Sequence, residues 1–467
     1  MFPQQSLQPE TKGAQTLHLT RGPHNSYIPS KTLLIHGENG MLRKDLPAVV
    51  AVMLLLSMLA TPFDTRFAFA ASTEQNCSLF GVGEPLMSRS TWSPENLNIS
   101  KAFEIMKNLS VHRLREWVWR QMVFNDSGTG LRQNIVEALN NVSDKAQSQN
   151  ITVMAMVQDF PSWMTNIKSN EFFQQIVPSR NLTEDSPYKK FLDCYEKSWE
   201  TLAKTFPNIT MWEMGNEYNL HTFLHPQGYN STDSSTWFTQ QEAVNITTDL
   251  LYYGSQGIRT GNPKAVTVMC GLAPNLTTGG NGIYAIKDFL ESIYTNIESG
   301  KWPSTNSSDF FQVACWHPYL NTEKSTFSNW VEPNTAVYNV MADHGDGEKP
   351  VVFSEFGYSD KCTGLNERQI ANYLTAAFAF VNESFRPWLK TIYWFRLIDP
   401  DPKCDTGLPD YEYGFGLTKS PAENYTWKLA AYAYADIPEF PSAVILLSAA
   451  FFIALVVIAV KKKFFIG

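Results

Sequence analysis

Short apolar runs and longer amphipathic stretches alternate along the middle of this chain. Apolar, β-branched and aromatic residues gather at 79–82, 111–118, 151–157, 209–214, 265–271, 310–316, 350–353 and 391–397. Each run has the length of a buried strand rather than of a helix. Helical patterns cover 134–149, 187–205, 239–257, 285–298 and 367–383, in the intervals between those runs. Ser186-Pro187 and Asn366-Glu367 supply helix starts, with a side-chain acceptor just ahead of the first turn. Strands alternating with helices predict right-handed βαβ units and a parallel sheet. Eight such runs between 71 and 436 predict an α/β fold, the (β/α)8 TIM barrel. A doubly wound open sheet is the structural alternative, and no glycine-rich phosphate loop supports a nucleotide-binding version of it.

The two ends follow a different pattern. Residues 1–40 are polar and aperiodic, an extension that a true start at Met41 would make a mis-assigned leader. Arg43 and Lys44 precede an apolar run at 46–63, and Ala68-Phe69-Ala70-Ala71 follows it. Residues 41–70 are therefore expected to act as a signal peptide or signal anchor. At the other end, 442–460 is a charge-free stretch of 19 residues followed by Lys461-Lys462-Lys463. That length suits a membrane helix across about 30 Å of hydrocarbon. The segment 437–467 is thus expected to be a membrane anchor, and Ile437-Pro438-Glu439-Phe440-Pro441-Ser442 resembles archaeal PEF-type carboxy-terminal anchor signals. Basic residues flank both apolar segments on their outer sides, which puts 71–436 outside the cell, on its surface. Asn-x-Ser/Thr sequons recur through 71–436 and nowhere else, as expected of a glycosylated external domain.

Composition narrows the function classes. Of the 467 residues, 43% are hydrophobic and 13% aromatic, enough for one large core with flat faces left for carbohydrate. The net charge is −8 and Lys and Arg are scattered, so a nucleic-acid groove is not expected. The 6 cysteines match no zinc spacing and only 8 histidines are present, so no metal is expected. His221 and His225 are helix-spaced, and they read as loop or subsite residues before they read as ligands.

In a barrel of this kind the active site lies at the carboxy-terminal ends of the strands. Glu217 follows the fourth run and Glu355 ends the seventh, and closure brings those two ends to one mouth. Two facing carboxyls are what glycosidic bond cleavage needs, one as proton donor and one as nucleophile. Trp212-Glu213-Met214-Gly215-Asn216-Glu217 resembles the strand-4 Asn-Glu motif of the clan A retaining glycoside hydrolases. Phe353-Ser354-Glu355-Phe356-Gly357 is similar to their strand-7 nucleophile motif.

The resemblance covers 79–436 and implies roles for named residues. Glu217 would be the acid/base, Glu355 the nucleophile, and Asn216 the partner of the sugar 2-hydroxyl. Within His112-Arg113-Leu114-Arg115-Glu116, Arg115 would support the nucleophile, although an ion pair with Glu116 is the alternative. Trp316-His317-Pro318-Tyr319 resembles the strand-6 His-x-Tyr element, which implicates His317 and Tyr319. Trp394 would be the aromatic platform under the sugar and Trp163 a further sugar contact. Tyr218 stands where the family often has proline. The loops carrying Cys362 and Cys404 follow adjacent strands, so barrel order predicts a disulfide between them.

The expected activity is a glycosidase without cofactor, acting on β-linked glucan, mannan, xylan or an envelope glycan. The alternatives are a carbohydrate-binding surface protein on the same barrel and a transglycosylase. Oligomeric state does not follow from the sequence.

Overall fold

The computed structural model describes residues 79–91, 97–169, 173–274, 284–319, 328–361, 364–385, 387–401 and 409–437. The expected signal segment, the apolar span at 442–460, Cys362 and Cys404 all lie outside the described residues. Among the described residues no helix is long and apolar enough to cross a membrane.

Eight parallel strands form the central sheet: β1 (Phe80–Gly83), β2 (Arg113–Trp119), β3 (Thr152–Gln158), β4 (Met211–Glu213), β5 (Val266–Val268), β6 (Ala314–Trp316), β7 (Val351–Phe356) and β8 (Leu389–Phe395). Except for β5 with β6, each pairs with its neighbours in sequence, and β1 also pairs with β8. The remaining gap, between β5 and β6, closes through the parallel bridges Val268↔Val313 and Leu272↔Trp316. The sheet is therefore a barrel. A short two-stranded ladder, Ile176–Val177 with His225–Pro226, lies outside it.

The eight longer helices are α1 (Ile99–Asn108), α2 (Gln133–Ser148), α3 (Pro187–Thr205), α4 (Gln240–Gly261), α5 (Ile286–Glu298), α6 (Ser328–Asp343), α7 (Glu367–Phe380) and α8 (Leu429–Ala435). Their ends are written in the sequence. Ser186 accepts the amide of Lys189 ahead of α3, and Thr239 with Glu242 forms a reciprocal cap on α4. Asn366 and Gln369 do the same for α7. Along α3, Tyr188, Phe191, Leu192, Tyr195, Trp199 and Leu202 recur at helical spacing and are all buried. That stripe is what packs the helix inward.

Strand alternation sorts the polar residues. On β2, Arg115 points into the barrel, whereas its neighbour Glu116 accepts the first amides of the short helix Leu86–Thr91, at 3.0 Å from Leu86 and 3.1 Å from Met87. Glu116 thus caps a helix, and Arg115 is left for the mouth. On β7 the alternation breaks: Phe353 pairs with Ile392 and Phe356 with Trp394, so one extra residue sits in β7. Irregularities of this kind re-aim side chains. Here the consecutive residues Ser354 and Glu355 both reach the barrel interior, where each bonds to residues of other strands.

Candidate active site

Glu217 leaves β4 in a left-handed backbone conformation (φ 51°), unusual for a side-chain-bearing residue. Such strain costs about 1–3 kcal/mol and persists only where the surroundings fix it. Its amide donates to the Gly271 carbonyl at 2.7 Å, which anchors the turn to the loop after β5. Gly215 just before it has φ 114°, and the Tyr218 ring lies 2.2 Å from where a Cβ would be. Tyr218 is fully buried beside Phe160, and its ring fills this turn.

Arg115 organises the other side of the mouth. Nε donates to Glu213 at 2.6 Å, and Nη2 reaches both Glu213 and Asn216 at 3.1 Å. Nη1 donates to Glu355 at 2.5 Å. The guanidinium also stands 4.6 Å from the centre of the Trp117 ring. Burial disfavours its charge, but Glu213 and Glu355 outweigh that and raise its pKa further.

The second oxygen of Glu355 accepts from the Tyr319 hydroxyl at 3.1 Å. Burial, then the charges of Glu355 and Glu217, push the Tyr319 phenol well above its ordinary value, so it stays a donor. Burial alone would raise Glu355, yet the charges of His317 and Arg115 and the bonds from Arg115 and Tyr319 hold it below the usual 4.5.

His317 bridges the two glutamates. Its Nδ1 lies 2.8 Å from Glu217 Oε1 and 3.7 Å from Glu355 Oε2. Burial works against its charge, but Glu355 and Glu217 prevail and raise its pKa above 6.5. One donor atom from each of Glu217, His317 and Glu355 lies within 4.8 Å of the others, close enough for a cation to bridge. Arg115 and Tyr319 already occupy both oxygens of Glu355, however, and Ser354 holds the far nitrogen of His317. The group is a carboxylate pair joined through an imidazole, and no metal is assigned to it.

Of the residues expected from sequence, Glu217, Glu355, Asn216, Arg115, His317 and Tyr319 converge on this one cluster. Trp394 does not join them. It is fully buried, packs against Phe356 and Tyr358, and donates its indole N–H to the Phe415 carbonyl at 3.2 Å. The next residue, Phe395, is only part-buried and stands edge-on to Trp117 (5.7 Å between ring centres) and Phe415 (5.2 Å). A one-residue change in strand parity exchanges the two faces, which leaves Trp394 packed in the core and Phe395 beside Trp117. Trp163 packs against Phe124 (5.2 Å) and covers Gly128, at the rim of the loop after β2.

Sequence reasoning left other residues without a role. Glu213 and Ser354 are buried in the cluster, and Cys315 lies 2.9 Å from the Ser354 hydroxyl. Glu412, in the loop after β8, is pushed up to about 7 by burial, which outweighs the lowering charge of Arg396, with Glu355 and Glu217 adding to the rise. His221 stacks on Trp237 at 3.8 Å and His225 on Tyr229 at 3.8 Å, so both histidines belong to an aromatic loop beyond Glu217.

No protein-family model and no curated protein sequence matches this chain. Its fold, in contrast, is widely shared among solved structures. The Streptomyces cattleya GH5_18 protein, solved as a variant in complex with Manβ1-4GlcNAc, superposes with a TM-score of 0.53 at 18% identity, over 77% of this chain and 79% of its own. A family 39 glycoside hydrolase from the gut symbiont Bacteroides cellulosilyticus WH2 gives 0.53 at 15% identity, over 78% and 64%. A family 1 β-glucosidase from Thermotoga maritima gives 0.53 at 13% identity, over 78% and 97%. At these identities the likeness is one of fold.

Proposed function

We propose that the chain is a retaining glycoside hydrolase that cleaves O-glycosidic bonds, of β configuration, in external poly- or oligosaccharides. The observation that carries this reading is the pairing of Glu217 and Glu355, each with an oxygen within 4.8 Å of the other. Retaining enzymes hold their carboxyls about 5–5.5 Å apart, whereas inverting ones need roughly 6.5–9.5 Å to admit water.

The surroundings divide the roles. Glu355, held ionised by Arg115 and Tyr319, attacks the anomeric carbon. As that bond forms, the bond to the leaving oxygen breaks and Glu217 supplies the proton. The glycosyl ester on Glu355 is then opened by water, whose proton passes to Glu217. Asn216 commits its carbonyl oxygen to Arg115 and keeps its amide nitrogen as the donor for a sugar hydroxyl. This chemistry uses no cofactor.

The proposal extends to location. Charge asymmetry around the two apolar segments favours a barrel held outside the membrane by 442–460, the tail's likeness to PEF-type signals fits such an anchor, and strand order favours a Cys362–Cys404 disulfide. Incubation with aryl β-glycosides and Manβ1-4GlcNAc, followed by NMR of the first-formed anomer, tests the catalytic reading. A β product and a 2-deoxy-2-fluoroglycosyl adduct on Glu355 are expected. An α product, or an adduct elsewhere, overturns it.

A further inference from the structure

Behind the two carboxylates lies a second set of hydrogen bonds that the double-displacement chemistry does not itself require. Nε2 of His317 lies 3.0 Å from Ser354 Oγ, and Ser354 Oγ lies 2.9 Å from Glu213 Oε1. Glu213 is also the residue that grips Arg115 at 2.6 Å. An unbroken path therefore runs from Glu217 through His317, Ser354, Glu213 and Arg115 to Glu355.

Donor and acceptor roles along that path are not free. A carboxylate paired with a guanidinium can only accept, so the Ser354 hydroxyl proton must point at Glu213. Ser354 Oγ then faces His317 with a lone pair, which requires Nε2 of His317 to carry a proton. Cys315 agrees with this direction. Burial, then the charge of Glu213, pushes its thiol well above the ordinary 9.0, so it keeps a proton to donate, with Ser354 Oγ at 2.9 Å and Glu213 Oε1 at 3.5 Å as acceptors. Gly271 completes the fit. A Cβ there would lie 2.2 Å from His317 Nε2 and 2.8 Å from both Glu213 Oε1 and Ser354 Oγ. The Gly271 backbone thus packs directly over the three side chains, where any larger residue would displace them.

We propose that Glu213 and Ser354 are positioning residues that hold Nε2 of His317 protonated, so that Nδ1 alone shares the catalytic proton with Glu217. When Glu217 is protonated, its O–H donates to Nδ1 of a neutral imidazole. When that proton rests on Nδ1 instead, the imidazolium donates it back to ionised Glu217, which passes it to the leaving oxygen and regains it from the attacking water. Only one proton moves, between Oε1 of Glu217 and Nδ1 of His317, while the Nε2 proton stays in place. The titratable and charged groups against His317 are Glu217, Glu355, Arg115 and Tyr319, with Glu213 and Cys315 one step further on, bonded to Ser354. This inference rests on the glycosidase reading for its role in catalysis, but not for its geometry.

The test uses Ser354→Ala and Ser354→Thr, with two readouts. In 15N NMR of the histidine ring, the wild type should show Nε2–H, and Ser354→Ala should release His317 to the Nδ1–H form, which favours ionised Glu217. For kcat/KM, Ser354→Ala should move the alkaline limb about one unit to lower pH. It should slow substrates with poor leaving groups at least tenfold and spare those with dinitrophenyl leaving groups. Ser354→Thr, which keeps the hydroxyl, should restore the limb. An Nδ1–H wild type overturns the inference, as does an unmoved limb with equal losses on both substrate types. A wild type that hydrolyses no glycoside yet shows Nε2–H defeats the glycosidase reading and leaves the tautomer assignment standing.

Discussion

Arg115 Nη1 lies 2.5 Å from Oε1 of Glu355, and the two residues are 240 positions apart in the chain. The guanidinium is fully buried and holds Glu213 and Asn216 as well. Removing one partner of a buried pair leaves the other charge uncompensated, at a cost of about 3–5 kcal/mol. Arg115→Ala should therefore lose about that much stability in urea unfolding, together with its activity. Arg115→Lys keeps the charge but not the planar fork, so it should fold and remain strongly impaired.

Glu217→Ala removes the proton donor and leaves the nucleophile. The rate on substrates with poor leaving groups should fall about 10²–10⁴-fold. Added azide should rescue the variant on an activated substrate and yield a glycosyl azide of β configuration, identified by NMR. Glu355→Gln should show no such rescue.

The pH dependence follows from the depressed pKa of Glu355. Glu355 must be ionised to attack, and His317, Arg115 and Tyr319 hold it below the ordinary 4.5 against the effect of burial. Activity should accordingly persist as pH falls through 4.5 and decline only below it. The same depression contributes stability above the ordinary value, and that contribution is lost as pH falls through the folded value. Tyr319→Phe removes one donor to Glu355. It should move the acid limb of kcat/KM upward by about half a unit to one unit.

The two strand-8 aromatics, one buried and one part-buried, allow binding and packing to be tested apart. Phe395→Ala should raise KM for glycosides with little change in melting temperature beyond that of a part-buried ring. Trp394→Ala, at a fully buried site, should instead cost about 3–5 kcal/mol of stability. Thermal unfolding alongside kinetics on both variants checks the two outcomes.

Gly271→Ala would push a methyl group into His317, Glu213 and Ser354. Overpacking of this kind costs about 1–3 kcal/mol. The variant should lose activity well below the temperature at which its helices melt, by circular dichroism.

Much of this site was legible before any coordinates. The order of strand-like runs put Glu217 and Glu355 at the ends of β4 and β7, while the motif resemblance pointed to Arg115 within β2 and to His317 and Tyr319 just past β6. These positions depend on counting elements, which apolar periodicity supports. What escaped depends on register within an element. Trp394 and Phe395 differ by one position, and either could have faced inward. Ser354 and Glu355 face the interior together because of an irregularity in β7 that no residue type announces. Glu213 looks like any strand residue until Arg115, 98 positions earlier, is placed beside it. Glu412 lies in a loop, where sequence carries no periodic signal, and its tie to the mouth is purely spatial.

The seam between β5 and β6 is held by backbone hydrogen bonds that run just past the ends of the short strands, from Gln312 and Val313 to Thr267, from Met269 to Val313 and from Leu272 to Cys315. Gly271 lies on one side of it and His317 on the other, with the His317 amide bonded across to Leu272 at 2.9 Å. A fluctuation that parts these two strands separates the imidazole from Glu217 while the remaining ladders hold. Heat would thus silence the protein before it melts, and a covalent staple across that seam would lengthen its working life without altering the chemistry.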